Sequence, residues 1–573
     1  MNLAAITHQA RTPMCCALDQ ETLQITLRTG RDADAVELIY ADPYEGGIAG
    51  GEAAWQGRRA PMSPAFTLEH HQLWTVTLRP PYRRLRYCFA VHQGEECWYY
   101  YEDGLRPFLQ LDNRVQCFTM PWMNPADCIA PPDWVRHTVW YQIFPDRFCR
   151  GGSGRPGALP WRRGPVTNAD RFGGDLAGIA SKLPYLARLG IGGLYLTPIF
   201  ASPSIHKYDT ADYTRIDPDF GTEADLSRLV RAAHQNGIRV MLDAVFNHCG
   251  PGFAPWRDVV KHGPQSPYWK WFFVRQWPFT EGDTRDGRYF SFAFHGGMPK
   301  LNTNEPEVQE YFITLCENWV RRYDIDAIRF DVGNEISHAF LRKLRARLKA
   351  LKPDLYLLGE IWHDASPWLE GDEYDAVMHY PLQSALRRFF EDDALPAEAF
   401  GWDVGQCLAA YPPQVDTAQF TLLDSHDTIR LRTRAASEAD FWQQLAALFT
   451  LPGSPCIYYG TELEMEGGPD PDCRRCMPWE ELDTPAGKAS HDALQALIAL
   501  RRQEPALQGR EIAFDPGPGR LVRYRRGNPA EALEICLNAG SQPQPLAPGG
   551  EELFCRGWDD GVLAPGGILI RRA

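Results

Sequence analysis

Eight short apolar runs, separated by stretches with helical periodicity, dominate residues 138–462 and limit the fold more than any other feature. The helical stretches include 176–190 and 223–237, and the second ends at Gly237, a residue type at which helices commonly stop. Eight strand-then-helix units favour a closed (β/α)₈ barrel. The alternative, an open doubly wound sheet, rarely needs eight such strands, and no glycine-rich phosphate loop follows the first run. The runs are 138–145, 191–198, 238–248, 325–334, 355–362, 375–380, 420–427 and 456–462.

The segments on either side of these runs read as β-structure. Alternating stretches at 23–30, 35–44, 73–80 and 84–91, with turns between them, predict an N-terminal β-sandwich over residues 1–122. A proline-rich linker (121–134) leads into the α/β barrel of residues 123–500, and a loop domain at about 248–300 is inserted after the third run. Short strand-like pieces predict a small C-terminal β-domain over 501–573.

The charge and cysteine content limit the class of partner and the compartment. Lys and Arg total 59 against 73 Asp and Glu, and the resulting charge of −14 disfavours nucleic acid and anionic membranes as partners. No run reaches the ~20 apolar residues of a membrane span, and the first residues do not resemble a secretory signal. The 15 cysteines, including a C-x-x-C at Cys473 and Cys476, fit reduced thiols. We therefore expect a cytoplasmic protein.

Polar side chains concentrate where the predicted strands end. In a barrel, the carboxyl ends of the strands surround the active site, and carboxylates gathered there are costly unless they bind a metal or perform chemistry. Such residues lie toward the carboxyl ends of the third, fourth, fifth and seventh runs: Asp243, Asn247, His248, Arg329, Asp331, Glu360, His426 and Asp427.

Glycoside cleavage is the chemistry that best suits these carboxylates. A retaining enzyme needs one carboxylate to attack the anomeric carbon and a second, ~5 Å away, to act as acid and then base. Arg329 lies two residues before Asp331 and therefore on the same face of the strand, where it would keep Asp331 ionised as the nucleophile. Glu360 is then the acid/base, and Asp427 remains to stabilise the transition state.

Two simpler interpretations compete with catalysis. A single strand-end aspartate more often caps a helix or accepts bonds from loop amides, and a single histidine is usually a satisfied polar group. These readings explain each residue alone but not the whole set on the expected strands. A metal site is the other competitor, but the sequence contains no H-E-x-x-H or comparable ligand spacing.

Several motifs resemble the α-amylase family, glycoside hydrolase family 13. The stretches DAVFNH (243–248), IRFDVGNEI (328–336), GEIWHD (359–364) and LLDSHDT (422–428) are similar to its four principal motifs. MPKLN (298–302) is similar to the extra motif of the neopullulanase, cyclomaltodextrinase and maltogenic amylase subgroup. Similar to the same subgroup are PPYRRLRY (80–87), WYQIFPDRF (140–148), FGGDLAGI (172–179), HKYDTADY (206–213) and SPCIYYG (454–460).

The resemblance implies a role for each site residue. Asp331 would be the nucleophile, Glu360 the acid/base and Asp427 the transition-state stabiliser. Asp243 would support the site, and Trp362 would stack a substrate ring or simply form part of the cleft wall. Other residues would line the sugar site on the non-reducing side of the cleaved bond (Tyr208, His248, Arg329 and His426) or shape the acceptor side (Asn334 and Glu335).

The resemblance also implies partners and substrates. An N-terminal module of this type typically forms a homodimer and narrows the partner's site, which favours cyclomaltodextrins, short maltodextrins and pullulan fragments, with some transglycosylation. Asp424 stands where glycine is common and Gly333 where alanine is common. A maltodextrin glucosidase or a glucanotransferase on the same fold therefore remains an alternative, and a non-catalytic amylase-like binding protein is a further one.

Calcium is expected to be absent. Many relatives bind it in the loop after the first strand through Asn and Asp, but residues 149–164 contain neither residue type. Calcium needs several oxygen ligands, and this loop is instead rich in arginine (Arg150, Arg155, Arg162 and Arg163). The sequence therefore predicts no metal and no other cofactor.

Overall fold

The computed structural model describes residues 1–45, 55–112, 114–152, 156–162 and 164–572. Arg155 and Arg163, two of the arginines of the first loop, lie outside these residues. Within the described part of the chain, no helix is both long enough and apolar enough to span a bilayer.

Two antiparallel sheets form the N-terminal region. Their facing sides share a core in which Leu23, Ile25 and Leu27 of one sheet pack with Val36 and Leu38 of the other. This arrangement confirms the predicted β-sandwich. One sheet has the strand order Cys15–Ala17, Leu23–Gly30, His71–Leu78 and Ser63–Thr67. The other has the order Arg58–Pro61, Ala35–Ala41, Leu85–Gln93, Glu96–Tyr101 and Gly104–Arg106, with Phe118–Met120 paired to Leu85–Gln93.

Eight parallel strands form the barrel, one in each of the eight apolar runs. In chain order they are Trp140–Ile143, Gly193–Leu196, Arg239–Ala244, Ala327–Phe330, Tyr356–Gly359, Ala376–Val377, Phe420–Leu422 and Ser454–Tyr458. Neighbours pair in that order, the eighth strand pairs with both the first and the seventh, and a parallel bridge between Met378 and Phe420 joins the sixth strand to the seventh. The sheet is therefore closed, and the predicted (β/α)₈ barrel is confirmed.

Helices surround this barrel. The longer ones are Glu223–Gln235, Pro306–Tyr323, His338–Leu351, Tyr380–Glu391, Ala397–Ala409, Glu438–Thr450 and Pro485–Gln503. The helix Glu223–Gln235 begins with a capping box between Thr222 and Asp225 and is followed by Gly237 at φ +70°. The stretch 176–190 instead forms two helices, Leu176–Ser181 and Leu183–Leu189, and Pro184, which lacks an N–H to donate, falls in the first turn of the second.

The remaining α-helices are short. They are Pro145–Phe148, Ala254–His262, Pro413–Asp416, Leu431–Arg434 and Pro505–Gln508. A two-stranded hairpin, Phe200–Ala201 with Asp212–Ile216, carries the loop that contains Tyr208. Residues 248–301 contain the helix Ala254–His262 and several isolated β-bridges. One of these bridges pairs Lys300 with His248 and so brings the end of the insertion back to the mouth of the barrel.

The C-terminal region is a further antiparallel sheet. Its strand order is Ile512–Phe514, Leu521–Arg526, Leu533–Asn538, Val562–Arg572 and Gln544–Pro545, and Glu552–Asp559 also pairs with Val562–Arg572. Three of these strands correspond to the strand-like pieces predicted after residue 500. The predicted C-terminal β-domain is thus confirmed.

Candidate active site

The register of the barrel places Asp331 and Glu360 side by side. Phe330, the last residue of the fourth strand, pairs with Gly359, the last residue of the fifth. Asp331 and Glu360 are the next residues along each chain, so they leave the barrel at the same level. Both are nearly buried, with 6% of each residue exposed.

One guanidinium group joins three carboxylates at the floor of the site. Nη1 of the fully buried Arg329 lies 2.9 Å from both oxygens of Asp243 and 2.9 Å from Oδ1 of Asp331. Its Nη2 lies 2.8 Å from Oε2 of Glu360. Because both Asp331 and Glu360 contact the same planar group, the two carboxyl groups lie close together.

These carboxyl groups carry more negative charge than Arg329 can balance. Burial raises the pKa of Asp331 well above its usual range; Arg329 opposes this shift, while Glu360, Asp243 and Asp427 add to it. Burial likewise raises the pKa of Asp243. Arg329 therefore makes the contact with Asp331 that the sequence predicted, but the cluster as a whole favours the uptake of a proton.

Glu360 is held by donors from both sides. The backbone N–H of Val332 donates to Oε2 at 2.9 Å, and Nε1–H of Trp362 donates to Oε1 at 3.1 Å. Val332 adopts φ 46° and ψ 48°, a left-handed conformation that is strained for a β-branched residue. This conformation turns the chain directly after Asp331, and the next backbone N–H, that of Gly333, donates to the carbonyl oxygen of Glu360 at 3.0 Å. The indole of Trp362 is half exposed and stacks on Tyr380, with 3.7 Å between the ring centroids.

Asp427 and His426 form the opposite side of the site. Nε2 of His426 lies 3.1 Å from Oδ2 of Asp427, and Nη2 of Arg474 donates to Oδ1 of Asp427 at 3.2 Å. Burial, together with the positive charges of Arg474 and Arg329, lowers the pKa of His426 well below its usual range. The imidazole is therefore neutral.

Tyr208 joins this side of the site to its floor. Its hydroxyl contacts Nε2 of His426 and donates to Oδ2 of Asp243 at 3.1 Å, while its ring lies almost parallel to that of His426. Asp243 also accepts a hydrogen bond of 2.7 Å from the hydroxyl of Tyr195. Asp243 thus contacts Arg329 and two tyrosines below the cavity.

His248 approaches Asp331 from the third strand. Its Nε2 lies 4.0 Å from Oδ2 of Asp331 and, among the described residues, has no hydrogen-bond partner although it is buried. The ring stacks on Phe292 at 4.9 Å. Burial lowers the pKa of His248 to about 3, and Lys300 adds to the shift. A neutral ring nitrogen is therefore free to bond a substrate hydroxyl.

A lysine organises the acceptor side. Nζ of Lys300 donates to Oε2 of Glu335 at 3.0 Å and to its carbonyl oxygen at 3.2 Å, and it also contacts Oδ1 of Asn247. Burial lowers the pKa of Lys300, and Glu335 opposes that shift. Glu335 thereby keeps one orientation although nearly half of its side chain is exposed. Asn334 lines the cavity beside it.

The carboxylates open into a cavity of about 510 Å³. Eight of the eleven residues predicted for the site line it: Tyr208, His248, Asp331, Asn334, Glu335, Glu360, Trp362 and Asp427. The other three, Asp243, Arg329 and His426, lie beneath this layer and contact it. The cavity wall also includes residues that the sequence did not single out: Asn168, His206, Phe292, Met298, Asp470 and Arg474.

Some of these additional residues had a signal in the sequence. His206 begins HKYDTADY, and Met298 begins MPKLN. Arg474 lies between the cysteines of the C-x-x-C stretch, which suggested redox or metal chemistry more readily than an arginine near the reaction centre. Both cysteines are buried free thiols, and Sγ of Cys473 lies 3.1 Å from the carbonyl oxygen of His426.

Arginines hold the loop after the first strand. Arg150 donates to the carbonyl oxygens of Phe172 and Leu159, and Arg147 donates to that of Asp170 at 2.8 Å. The positive charge of these guanidinium groups disfavours a cation beside them. Among the described residues, no group of three or more His, Cys, Asp or Glu side chains is arranged to hold a metal ion.

Comparison with known families agrees with this geometry. Residues 142–501 match the model of the alpha amylase catalytic domain, and residues 1–124 match that of the alpha amylase N-terminal Ig-like domain. The chain belongs to the alpha-amylase family. As a member of that family it is a glycoside hydrolase.

Named relatives in the alpha-amylase family cover almost the whole chain. A cyclomaltodextrinase of Geobacillus thermopakistaniensis is 45% identical over 95% of this chain and 93% of its own length. An intracellular maltogenic amylase of Bacillus subtilis is 44% identical over 88% of this chain and 85% of its own. The solved structure of a cyclomaltodextrinase aligns with a TM-score of 0.90 at 37% identity and covers 100% of this chain and 98% of that one.

Proposed function

We propose that this protein is a retaining α-glycosidase that hydrolyses α-1,4 and α-1,6 glucosidic bonds in cyclomaltodextrins, maltooligosaccharides and pullulan. The observation that carries the proposal is the pairing of Asp331 and Glu360 on the single guanidinium of Arg329, at the wall of one cavity. A retaining mechanism needs two carboxyl groups at such close range. The names of the relatives support the choice of substrate.

In the reactive form, the proton shared by the carboxyl cluster resides on Glu360, and Asp331, in contact with Arg329, is ionised. In the first step, Asp331 attacks the anomeric carbon. Its Oδ1 is bonded to Arg329, so Oδ2, on the side of His248, is the attacking atom. Glu360 gives its proton to the glycosidic oxygen as the bond to the anomeric carbon breaks, and a covalent glucosyl–Asp331 ester forms. In the second step Glu360 takes a proton from water, whose oxygen attacks the anomeric carbon and releases Asp331.

Other residues serve the transition state and the substrate. Positive charge develops on the sugar during both steps, and the carboxylate of Asp427 stabilises that charge electrostatically. His248 and Tyr208 present polar groups to ring hydroxyls, and His426 supports Tyr208 from behind. Trp362 offers an exposed aromatic face beside the acceptor side. When a sugar replaces water at that side, the same second step becomes transglycosylation. No metal or cofactor takes part in the proposal.

We further propose a homodimer formed through the N-terminal module. That module exposes aromatic side chains, of which Tyr82 is 67% and Phe108 58% exposed, and such apolar surface favours contact with a second protein surface. Light scattering of the wild type and of a Tyr82→Ser, Phe108→Ser double variant tests this assembly, because a monomeric wild type would contradict it. A cytoplasmic location agrees with the relative named as intracellular.

A substrate panel tests the proposed activity. Purified enzyme is incubated with β-cyclodextrin, pullulan and starch, products are separated by chromatography, and the first anomer released is read by proton NMR. We expect cyclodextrin to be cut faster than starch and the first product to be the α-anomer. Faster cleavage of starch, or an initial β-anomer, would overturn the proposal.

Products from maltotriose distinguish the two alternative functions. Glucose released only from one chain end would indicate a maltodextrin glucosidase, and products longer than maltotriose would indicate a glucanotransferase.

A further inference from the structure

A buried glutamine on the first barrel strand contacts His426 from below the cavity. Gln142 lies in the strand Trp140–Ile143, is 1% exposed, and places its side-chain amide nitrogen 2.6 Å from Nδ1 of His426. It does not line the cavity, so it acts on a substrate only through the histidine.

The other ring nitrogen shows which way this hydrogen bond runs. Nε2 of His426 lies 3.1 Å from Oδ2 of Asp427, and a carboxylate oxygen can only accept. The hydrogen bond at Nε2 is made with the hydroxyl of Tyr208, 2.5 Å away. Because the single proton of that hydroxyl is directed to Oδ2 of Asp243, its oxygen accepts from Nε2. Nε2 therefore carries hydrogen.

A neutral imidazole with hydrogen on Nε2 has a lone pair on Nδ1, and this lone pair needs a donor. Burial keeps the ring neutral by lowering its pKa, an effect that Arg474, Arg329 and His206 reinforce and Glu360 opposes. The amide NH₂ of Gln142 is a donor at the right place. The opposite orientation of the amide would set its carbonyl oxygen against the lone pair.

We propose that Gln142 is a positioning residue that holds His426 in its neutral, Nε2-protonated tautomer by donating an amide hydrogen to Nδ1. The backbone of His426 is fixed separately, because Nε of Arg474 donates to its carbonyl oxygen at 2.8 Å. Gln142 thus sets the proton position and not merely the place of the ring. The consequence is a permanent N–H donor toward Tyr208 and Asp427, two residues of the cavity wall. The effect on turnover rests on the function proposed above.

Nitrogen-15 NMR tests the proton position directly. Histidine ring nitrogens are labelled in the full-length protein, and the His426 signals are identified by their absence from a His426→Gln variant. We expect Nε2 to show the shift of a protonated nitrogen and Nδ1 that of a bare one from pH 5.5 to 8. Hydrogen on Nδ1 in the wild type, or a charged ring at neutral pH, would refute the proposal whether or not any variant folds.

Two variants of Gln142 distinguish an effect on the His426 tautomer from an effect on side-chain packing. Gln142→Leu removes the donor, and we expect a loss of about tenfold or more in kcat/KM with a mixture of tautomers. Gln142→Glu offers an acceptor instead, so hydrogen should move to Nδ1 and the ring should become charged near pH 6, adding a limb to the pH–rate profile. The matched control is Gln444→Leu, a buried glutamine in the helix Glu438–Thr450, which should leave both the spectrum and kcat/KM unchanged.

The result is distinguishable from a failure of the proposed function. If Gln142→Leu keeps both the wild-type tautomer and the wild-type kcat/KM, Gln142 has no positioning role, yet the assignments of Asp331 and Glu360 stand. If the enzyme does not cleave α-glucans, the NMR experiment still reports where the proton on His426 lies.

Discussion

The backbone N–H of Val332 donates a hydrogen bond of 2.9 Å to Oε2 of Glu360, across the two neighbouring strands that supply the facing carboxyl groups. Val332 itself adopts a left-handed backbone conformation, and the N–H of the following residue, Gly333, donates to the carbonyl oxygen of Glu360 at 3.0 Å. The strained residue thus lies between two backbone contacts to Glu360.

The backbone strain at Val332 can be measured by comparing glycine and alanine at this position. In ordinary backbone conformations alanine is favoured over glycine, but in the left-handed region the Cβ of alanine costs roughly 1–2 kcal/mol. We therefore expect Val332→Gly to have a free energy of unfolding about 1 kcal/mol higher than Val332→Ala, as measured by urea denaturation. The same pair at Val240, which lies in a regular strand, should show the opposite order. If alanine is the more stable residue at both positions, the conformation of Val332 is not strained.

Removal of either facing carboxylate should abolish turnover without unfolding the protein. Asp331→Asn removes the attacking group and Glu360→Gln removes the proton donor, and both retain side-chain size. We expect kcat on β-cyclodextrin to fall on the order of 10³-fold or more in each. Glu370→Gln, an equivalent change on the surface, should remain within twofold of the wild type. Near-normal turnover by Asp331→Asn or Glu360→Gln would contradict the assigned roles.

Trp362 should have two separable effects. Phenylalanine keeps an aromatic face but loses the Nε1–H that donates to Glu360, so kcat/KM should fall about fivefold, the equivalent of one hydrogen bond near 1 kcal/mol. Alanine also removes the exposed ring, and KM for β-cyclodextrin should rise further. Steady-state kinetics on β-cyclodextrin and maltotriose would measure both effects. Wild-type kinetics in Trp362→Phe would show that the bond to Glu360 has no part in turnover.

A histidine at the other end of the barrel should make stability depend on pH. His234 lies 2.8 Å from Asp326, which raises the pKa of the histidine above its ordinary value of 6.5. Because the folded-state pKa is the higher one, this stabilisation is complete below pH 6.5 and disappears as pH rises through the folded-state pKa.

We therefore expect His234→Gln to lower the free energy of unfolding more at pH 5.5 than at pH 9, by on the order of 0.5 kcal/mol, because the histidine side chain is 31% exposed and solvent screens the pair. Urea denaturation at both pH values measures the difference. His70→Gln, a change at an exposed histidine, serves as the control. A larger effect of His234→Gln at pH 9 would contradict the direction of the shift.

Metal removal should have no effect. Arg150 donates to the carbonyl oxygens of Leu159 and Phe172, and Arg147 to that of Asp170, so the region that carries calcium in many relatives is positively charged here. We expect dialysis against EDTA to leave both kcat and Tm unchanged, with a calcium-dependent amylase treated in parallel as the positive control. Activity that is lost on dialysis and restored by added calcium would show that a site exists.

The barrel and most of its polar rim could be predicted from the sequence because both depend on local pattern. Eight apolar runs indicate eight strands, and the polar residues late in each run lie at the carboxyl end of its strand whatever the strand order. Asp331 and Glu360 were found in this way. Gln142 and Tyr195 were not, because a single polar residue inside an apolar strand has no local signal until its partner, His426 or Asp243, is known.

The sequence by itself determined the fold class, the family and the set of carboxylates, since strand periodicity and motif spacing are properties of neighbouring residues. Only the tertiary structure decided how those carboxylates share charge. Arg329 contacts three of them, the N–H of Val332 donates to Glu360, and Gln142 lies beneath His426. Apart from the contact between Arg329 and Asp331, these contacts join different strands. They exist because the closed barrel brings the strand ends together and excludes the water that would otherwise satisfy these groups.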